Sequence, residues 1–188
     1  MQNRRKPCES ELLEKIPVNN GHIWRPKLVY PLPCLKNQLF VMYQRPNFED
    51  HLKKWTNQHS EICISDIYNG KIWKEFPSRL DSSNSFKFFT SETADSHLGI
   101  MINLNWFQPF ESSSYSCGAI YGVICNLPCE IRFKKENMLV LGLLPGPHEV
   151  KLHKINHYLA PIVDDLLELW ENGFDLPSSD KHQNGKKI

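Results

Sequence analysis

The side chains best placed for chemistry fall in the second half of the chain. The run LGIMINLNWFQPF, residues 98–110, reads as a buried strand that ends on a polar residue, Asn105, where the backbone turns into an aromatic, proline-containing loop. A carboxylate at such a strand end could hold a divalent metal. An amide offers one oxygen and no charge, and it cannot bridge two ions as a carboxylate does. The competing role for Asn105 is a strand-end side chain that caps the turn into Trp106. Glu111 and Glu130, in loops near strand ends, could be imagined as substitute ligands, but loop carboxylates are ordinarily solvated.

Arg132, Lys134 and Lys135, with Phe133 among them, could form a phosphate-contacting patch. An ordinary solvated turn is the competing reading, and the near-zero net charge favours it. His148, His153 and His157 resemble a sparse ligand series, yet His153 and His157 flank a proline-disturbed helix start and read better as surface histidines. Cys125 and Cys129 lie within zinc-ligand spacing, but no second Cys or His pair follows at ligand spacing and no CxxC pair exists. Ser116 or Cys117 could be written as a nucleophile, but no GxSxG elbow supports either.

The bulk properties bound these options. At 188 residues and 40% hydrophobic content, the chain suits one domain, or one domain plus an arm. Lys and Arg total 22 against 21 Asp and Glu, so any nucleic-acid contact must come from a local patch rather than a global basic field. The longest apolar runs, such as MLVLGLL, fall far short of the roughly 20 residues that span a bilayer, so no membrane partner is expected. The start, MQNRRKPC followed by ESELLEKIPVNN, lacks the apolar centre of a signal peptide, which points to an intracellular protein. The six cysteines are scattered, and buried free thiols are the expectation.

The elements that must position these side chains follow from periodicity. Residues 1–32, punctuated by proline, read as an arm lying on the domain. Leu35, Leu39 and Met42, then Phe48, Leu52 and Trp55 after the break at Pro46, predict a helical hairpin. SDIYNGKIWKEF predicts a broken helix, and residues 77–96 a surface loop or strained connection; together residues 33–96 make a helical region with its connector. Apolar runs at 98–104, 119–125 and 138–144 predict a three-stranded antiparallel meander. Ile155, Tyr158, Leu159, Ile162, Val163, Leu166, Leu169 and Trp170 follow one helical face, giving an amphipathic helix packed on the sheet. Pro161 implies a late start or a kink, and Asn172 with Gly173 supplies the stop. Residues 97–173 thus form the core, and the polar tail 174–188 is expected to be disordered. The fold class is α/β in the α+β sense.

The ordered series RRKPC, CLKNQLFVMYQRPNFEDHLKKW, DIYNGKIWKEF, NWFQPF, YSCGAIYGVICNLPCEIRFKKENMLVLGLLPGP and INHYLAPIVDDLLELWENG resembles the transposases of CACTA, or En/Spm-type, DNA transposons, especially their fungal branch. The resemblance runs over about residues 4–173. It implies a partial ribonuclease H-like core, here the three antiparallel strands plus the amphipathic helix. It also implies a nuclear enzyme that cuts and joins strands at transposon ends, with an acidic triad holding two Mg or Mn ions. The chain departs from the family in three ways. Asn105 stands where the family has its first aspartate, the later acidic residues would lie beyond Ile188, and the family's zinc-binding region would precede RRKPC, leaving Cys8 an orphan ligand and residues 1–32 a remnant. The expectation is therefore a transposase-derived chain cut at both ends, inactive as it stands and holding no cofactor. Its partners would be DNA, an intact transposase or another copy of itself. The alternatives are a non-catalytic DNA- or transposase-binding module, or a decaying reading frame. A sheet ending at its third strand would leave an exposed edge and favour dimerisation or aggregation.

Overall fold

The computed structural model describes residues 11–57, 65–78, 86–111, 115–177 and 182–188. Cys8, Cys63, the RRKPC stretch and part of the connector at 77–96 lie outside them.

The arm is not featureless. Strands β1 (Leu13–Val18) and β2 (Gly21–Pro26) form an antiparallel hairpin closed between Val18 and Gly21, and almost all of it is exposed. Arg25 and Glu14 pair across it at 2.6 Å, and Trp24 projects 64% exposed. Beyond the hairpin the Tyr30 hydroxyl donates to the Tyr158 carbonyl at 3.0 Å, and the Leu143 amide donates to the Pro31 carbonyl at 3.2 Å.

Helices α1 (Leu35–Tyr43) and α2 (Phe48–Lys53) bury Leu35, Leu39, Met42, Phe48 and Leu52, the residues whose spacing predicted them. Asn47, in the left-handed region that asparagine tolerates, turns the chain between them. A 3-10 turn at Ile67–Asn69 and the short helix α3 (Lys71–Glu75) flank Gly70, which is the expected broken helix. The connector is more than a surface loop: Phe89 stacks on Trp73 with ring centroids 3.7 Å apart, and Phe88 stacks on His97 at 4.2 Å and Trp170 at 4.7 Å.

The sheet is the three-stranded antiparallel meander predicted, in the order β3 (Ile100–Phe107), β4 (Cys117–Ile124), then β5 (Met138–Leu144) after the one-turn helix α4 (Cys129–Arg132). One face carries Ile100, Trp106, Ile120, Ile124, Leu139, Leu141 and Leu144 into a core shared with α1 and α2. Helix α5 (Asn156–Asn172) closes that core through Ile162, with Tyr158, Leu159, Leu166 and Leu169 packed beside it. The helix runs through Pro161 instead of beginning at it. Val163 and Trp170, expected on its buried face, stay 46% and 43% exposed. It stops at Gly173, whose φ of 63° suits a residue without a Cβ.

Two expectations are corrected. The tail is ordered where it is described: β6 (Asp175–Leu176) pairs with β7 (Lys186–Lys187), Phe174 and Ile188 exchange both backbone hydrogen bonds at 2.9 Å, and Leu176 is buried in the core. A polar composition concealed the apolar Phe174, Leu176 and Ile188 that dock it. Secondly, β3 is not buried. Among the described residues it is an edge strand, exposed from Met101 through Asn105, because no strand pairs with its outer side.

Candidate nucleic-acid interface

The segment Ile131–Asn137 is held at both ends and displayed in the middle. At its start Arg132 is buried: its guanidinium meets Asp66 through Nη1 to Oδ1 at 2.7 Å and Nη2 to Oδ2 at 2.8 Å. Nε donates to the Leu127 carbonyl at 3.0 Å, and Nη2 also to that of Cys125 at 2.9 Å. Asp66 is positioned as the cap of the 3-10 turn, accepting from the Ile67 amide at 2.6 Å in a capping box with Asn69. Burial alone would raise the Asp66 carboxyl, but hydrogen bonds from Arg132 and the Ile67 amide outweigh it and hold the group below the usual carboxylate range. Tyr68 responds oppositely: burial and the neighbouring Asp66 charge push its hydroxyl up to about 12. At the far end Asn137 donates to the Ile131 carbonyl at 2.8 Å, and Arg45 donates to the Glu136 carbonyl and to Asn137 Oδ1.

Between these anchors Phe133, Lys134 and Lys135 are exposed. Arg132 therefore leaves the patch that the sequence suggested; it is a buried girder, and the exposed stretch is Phe133, Lys134, Lys135 and Glu136, whose cations are the two lysines. Sequence inspection shows a basic run but not which member has a buried partner. The S-D-x-x-N capping pattern ahead of Ile67 was the available signal that Asp66 is structural.

Asn105 lies on β3 opposite Ala119, two residues short of the end at Phe107, on the face turned away from the core helices. It does not cap the turn into Trp106, because the strand continues through that residue. Glu130 and the 133–135 loop follow the other end of β4, beyond Ile124, which pairs with Ile100. Five residues of strand rise, roughly 17 Å, separate that pair from Asn105. Glu111 is exposed in the turn after β3. Among the described residues no three His, Cys, Asp or Glu side chains come together in a way that could hold a metal. A neutral amide without converging carboxylates does not fit two divalent ions.

His148, His153 and His157 are exposed. Of the described cysteines only Cys125 is buried, its thiol pushed up by burial; Cys34 and Cys129 are exposed and Cys117 is half-buried. The expectation of buried thiols therefore holds for Cys125 alone among them.

Residues 64–186 match the transposase family tnp2. The chain belongs to that family. No curated protein and no solved structure matches it. The tnp2 segment contains both partners of the Asp66–Arg132 pair, the displayed loop, all three core strands and α5. It also contains Asn126, which sequence reasoning noted only as part of an NLP signature. Fully buried, its amide accepts from the Gly99 amide at 2.9 Å and donates to the carbonyls of Ala94 at 3.2 Å and His97 at 2.9 Å, tying β3 to the connector. A transposase family implies DNA binding in general, so DNA phosphate is the ligand chemistry against which the displayed lysines are judged. No described helix is long and apolar enough to cross a membrane.

Proposed function

We propose that this chain is a transposase-derived protein of the CACTA, or En/Spm-type, lineage, from its fungal branch, that contacts DNA without cutting it. The observation that carries this reading is a separation: the displayed Lys134 and Lys135 and the strand-borne Asn105 sit at opposite ends of the sheet. A strand-cutting centre must bring phosphate and metal-holding carboxylates to one point. Here no metal-holding group of three such side chains forms among the described residues, and the cations lie at the other end of the sheet from the amide. The three antiparallel strands followed by α5 are the order in which a ribonuclease H-like core begins, which supports that ancestry. The Phe133-Lys134-Lys135 loop, clamped by Arg132 and Asn137, then serves to hold a DNA backbone, and the nucleus is where such a protein would work. Mg or Mn belongs to the intact family's chemistry and has no role in this reading.

Titration of a fluorescent transposon-end duplex between about 50 and 200 mM salt tests the DNA half. Binding should weaken steeply with salt, and the Lys134→Ala, Lys135→Ala double variant should lower the log–log slope by about 2. Binding that ignores salt removes this half of the proposal. Incubation of the same duplex with Mg²⁺ or Mn²⁺ tests the other half: neither the wild type nor Asn105→Asp should nick above a heat-killed control.

A further inference from the structure

The displayed loop is also held from outside the matched tnp2 segment. Arg45 stands in the turn between α1 and α2, and both helices fix its backbone: its amide donates to the Met42 carbonyl at 3.0 Å, and its carbonyl accepts from the Phe48 amide at 3.4 Å. Its side chain reaches a partner 91 residues away, where Nη1 donates to the Glu136 carbonyl and to Asn137 Oδ1, the latter at 3.2 Å. Glu136 directly follows Lys135, so the guanidinium lies beside the exposed lysines.

A guanidinium carries N–H donors on three nitrogens, and Nη1 alone supplies both of these bonds. The edge formed by Nε and Nη2, whose parallel N–H groups match two oxygens of one anion, has no partner among the described residues. Nor does Arg45 form an ion pair among them, in contrast to Arg132 with Asp66; the exposed Glu136 carboxylate is not paired with it. The residue is half-buried. A neutral donor would suffice to hold a carbonyl and an amide oxygen. What arginine adds is a charge, partly withdrawn from water and fixed at one nitrogen, so that little side-chain freedom remains to be lost when it grips an anion.

We infer that Arg45 is the third cation of the DNA-contacting surface. With Nη1 fixed on the loop, its Nε–Nη2 edge takes two oxygens of one phosphodiester, beside the phosphates met by Lys134 and Lys135. This assignment rests on the reading of that loop as the DNA contact. The place that Arg132 vacates by burial is thus filled from the α1–α2 turn, a distant part of the chain. One guanidinium both grips phosphate and fastens the loop to the helical hairpin, so the shape of the loop and the contact it makes are joined at a single residue. Phosphate oxygens are common to every base sequence, so Arg45 adds affinity and positioning and leaves base choice to other groups.

Fluorescence anisotropy of a labelled DNA duplex with the full chain, between about 50 and 200 mM salt, separates gripping a phosphate from pinning the loop. Arg45→Gln keeps a donor for the loop but no charge; it should weaken binding about three- to tenfold at the low-salt end and lower the log–log slope by about 1. Arg45→Lys keeps the charge without the fork, so it should weaken binding at the wild-type slope. A wild-type slope in Arg45→Gln, with Lys134→Ala lowering it, would overturn this inference alone and leave Arg45 a pin for the loop. Wild-type binding that ignores salt would overturn the reading of the loop, and this inference with it. If Arg45→Gln fails to fold, the unaltered chain decides: on adding the duplex, the Arg45 Nε–H resonance in heteronuclear NMR should shift and exchange more slowly with water. An unmoved resonance in the saturated complex would overturn the inference.

Discussion

Arg132 reaches back 66 residues to Asp66 and closes a two-pronged ion pair, 2.7 and 2.8 Å, in which both side chains are almost wholly buried. The planar guanidinium matches the carboxylate fork, and its remaining reach satisfies the Cys125 and Leu127 carbonyls where β4 ends. One residue thereby ties the 3-10 turn, the end of β4 and the displayed loop together.

Removing one partner leaves the other charge buried and alone. Arg132→Ala is expected to lower unfolding free energy by about 3–5 kcal/mol in urea titrations, with Asp66→Ala close behind. The pH dependence has a definite sign. Asp66 is held below its ordinary range in the folded protein, so its contribution is complete above about pH 5 and is lost as pH falls through the folded value. Asp66→Asn should flatten that part of the acid limb.

Asn126 is a second buried polar anchor. Asn126→Ala would orphan the Gly99 amide and the carbonyls of Ala94 and His97, at a cost of about 1–3 kcal/mol. Asn126→Asp should be no better, because a carboxylate cannot donate to two carbonyls. Parallel thermal melts check both, and equal melting of the wild type and the Ala variant would remove the clamp from the argument.

Where the sequence was legible follows from these contacts. The apolar spacing in α1, the three strands and α5 is local information, and it placed those elements correctly. The hairpin was missed although Asn19, Asn20 and Gly21 between two short apolar runs form a turn signal. The role of Arg132 was misread because a basic run does not reveal a carboxylate 66 residues away. β3 reads as buried because its residues are apolar, while exposure depends on what lies beside it.

The C-terminal segment is fastened by charge as well as by Leu176. Lys186 Nζ lies 2.8 Å from Glu49 Oε1 and 2.8 Å from Asp95 Oδ2; Lys53 also meets Asp95 at 2.6 Å, and His182 Nε2 meets Glu49 at 2.8 Å. Burial raises both carboxyls, but hydrogen bonds from Lys186, with His182 at Glu49 and Lys53 at Asp95, bring them below their ordinary values. Their stabilisation is present at neutral pH and is lost as pH falls through those lowered values. Lys186→Met should speed hydrogen exchange at Phe174 and Ile188 at pH 7, and the difference from wild type should shrink near pH 3.

Close approach explains Gly142. A Cβ there would overlap the Tyr30 hydroxyl, which is pinned to the Tyr158 carbonyl. Gly142→Ala should cost about 1–3 kcal/mol by forcing Tyr30 out, and Tyr30→Phe about 1 kcal/mol. In Tyr30→Ala the same Gly142 change should cost much less. Additive losses in a double-mutant cycle would show that the arm does not seat there.

The clamp on the loop predicts a separation between holding DNA and shaping the residue that holds it. Lys134→Ala removes a charge from the displayed surface, so both affinity and the salt slope should fall. Arg132→Lys keeps the net charge but replaces a planar fork by a single ammonium that cannot satisfy Asp66 and two carbonyls together. The loop should lose its fixed shape, and DNA affinity should fall about three- to tenfold at every salt concentration. The salt slope should stay at the wild-type value, because the phosphate-facing cations remain. If Arg132→Lys lowers the slope as Lys134→Ala does, Arg132 faces the DNA after all and the buried girder is not its role in the bound state.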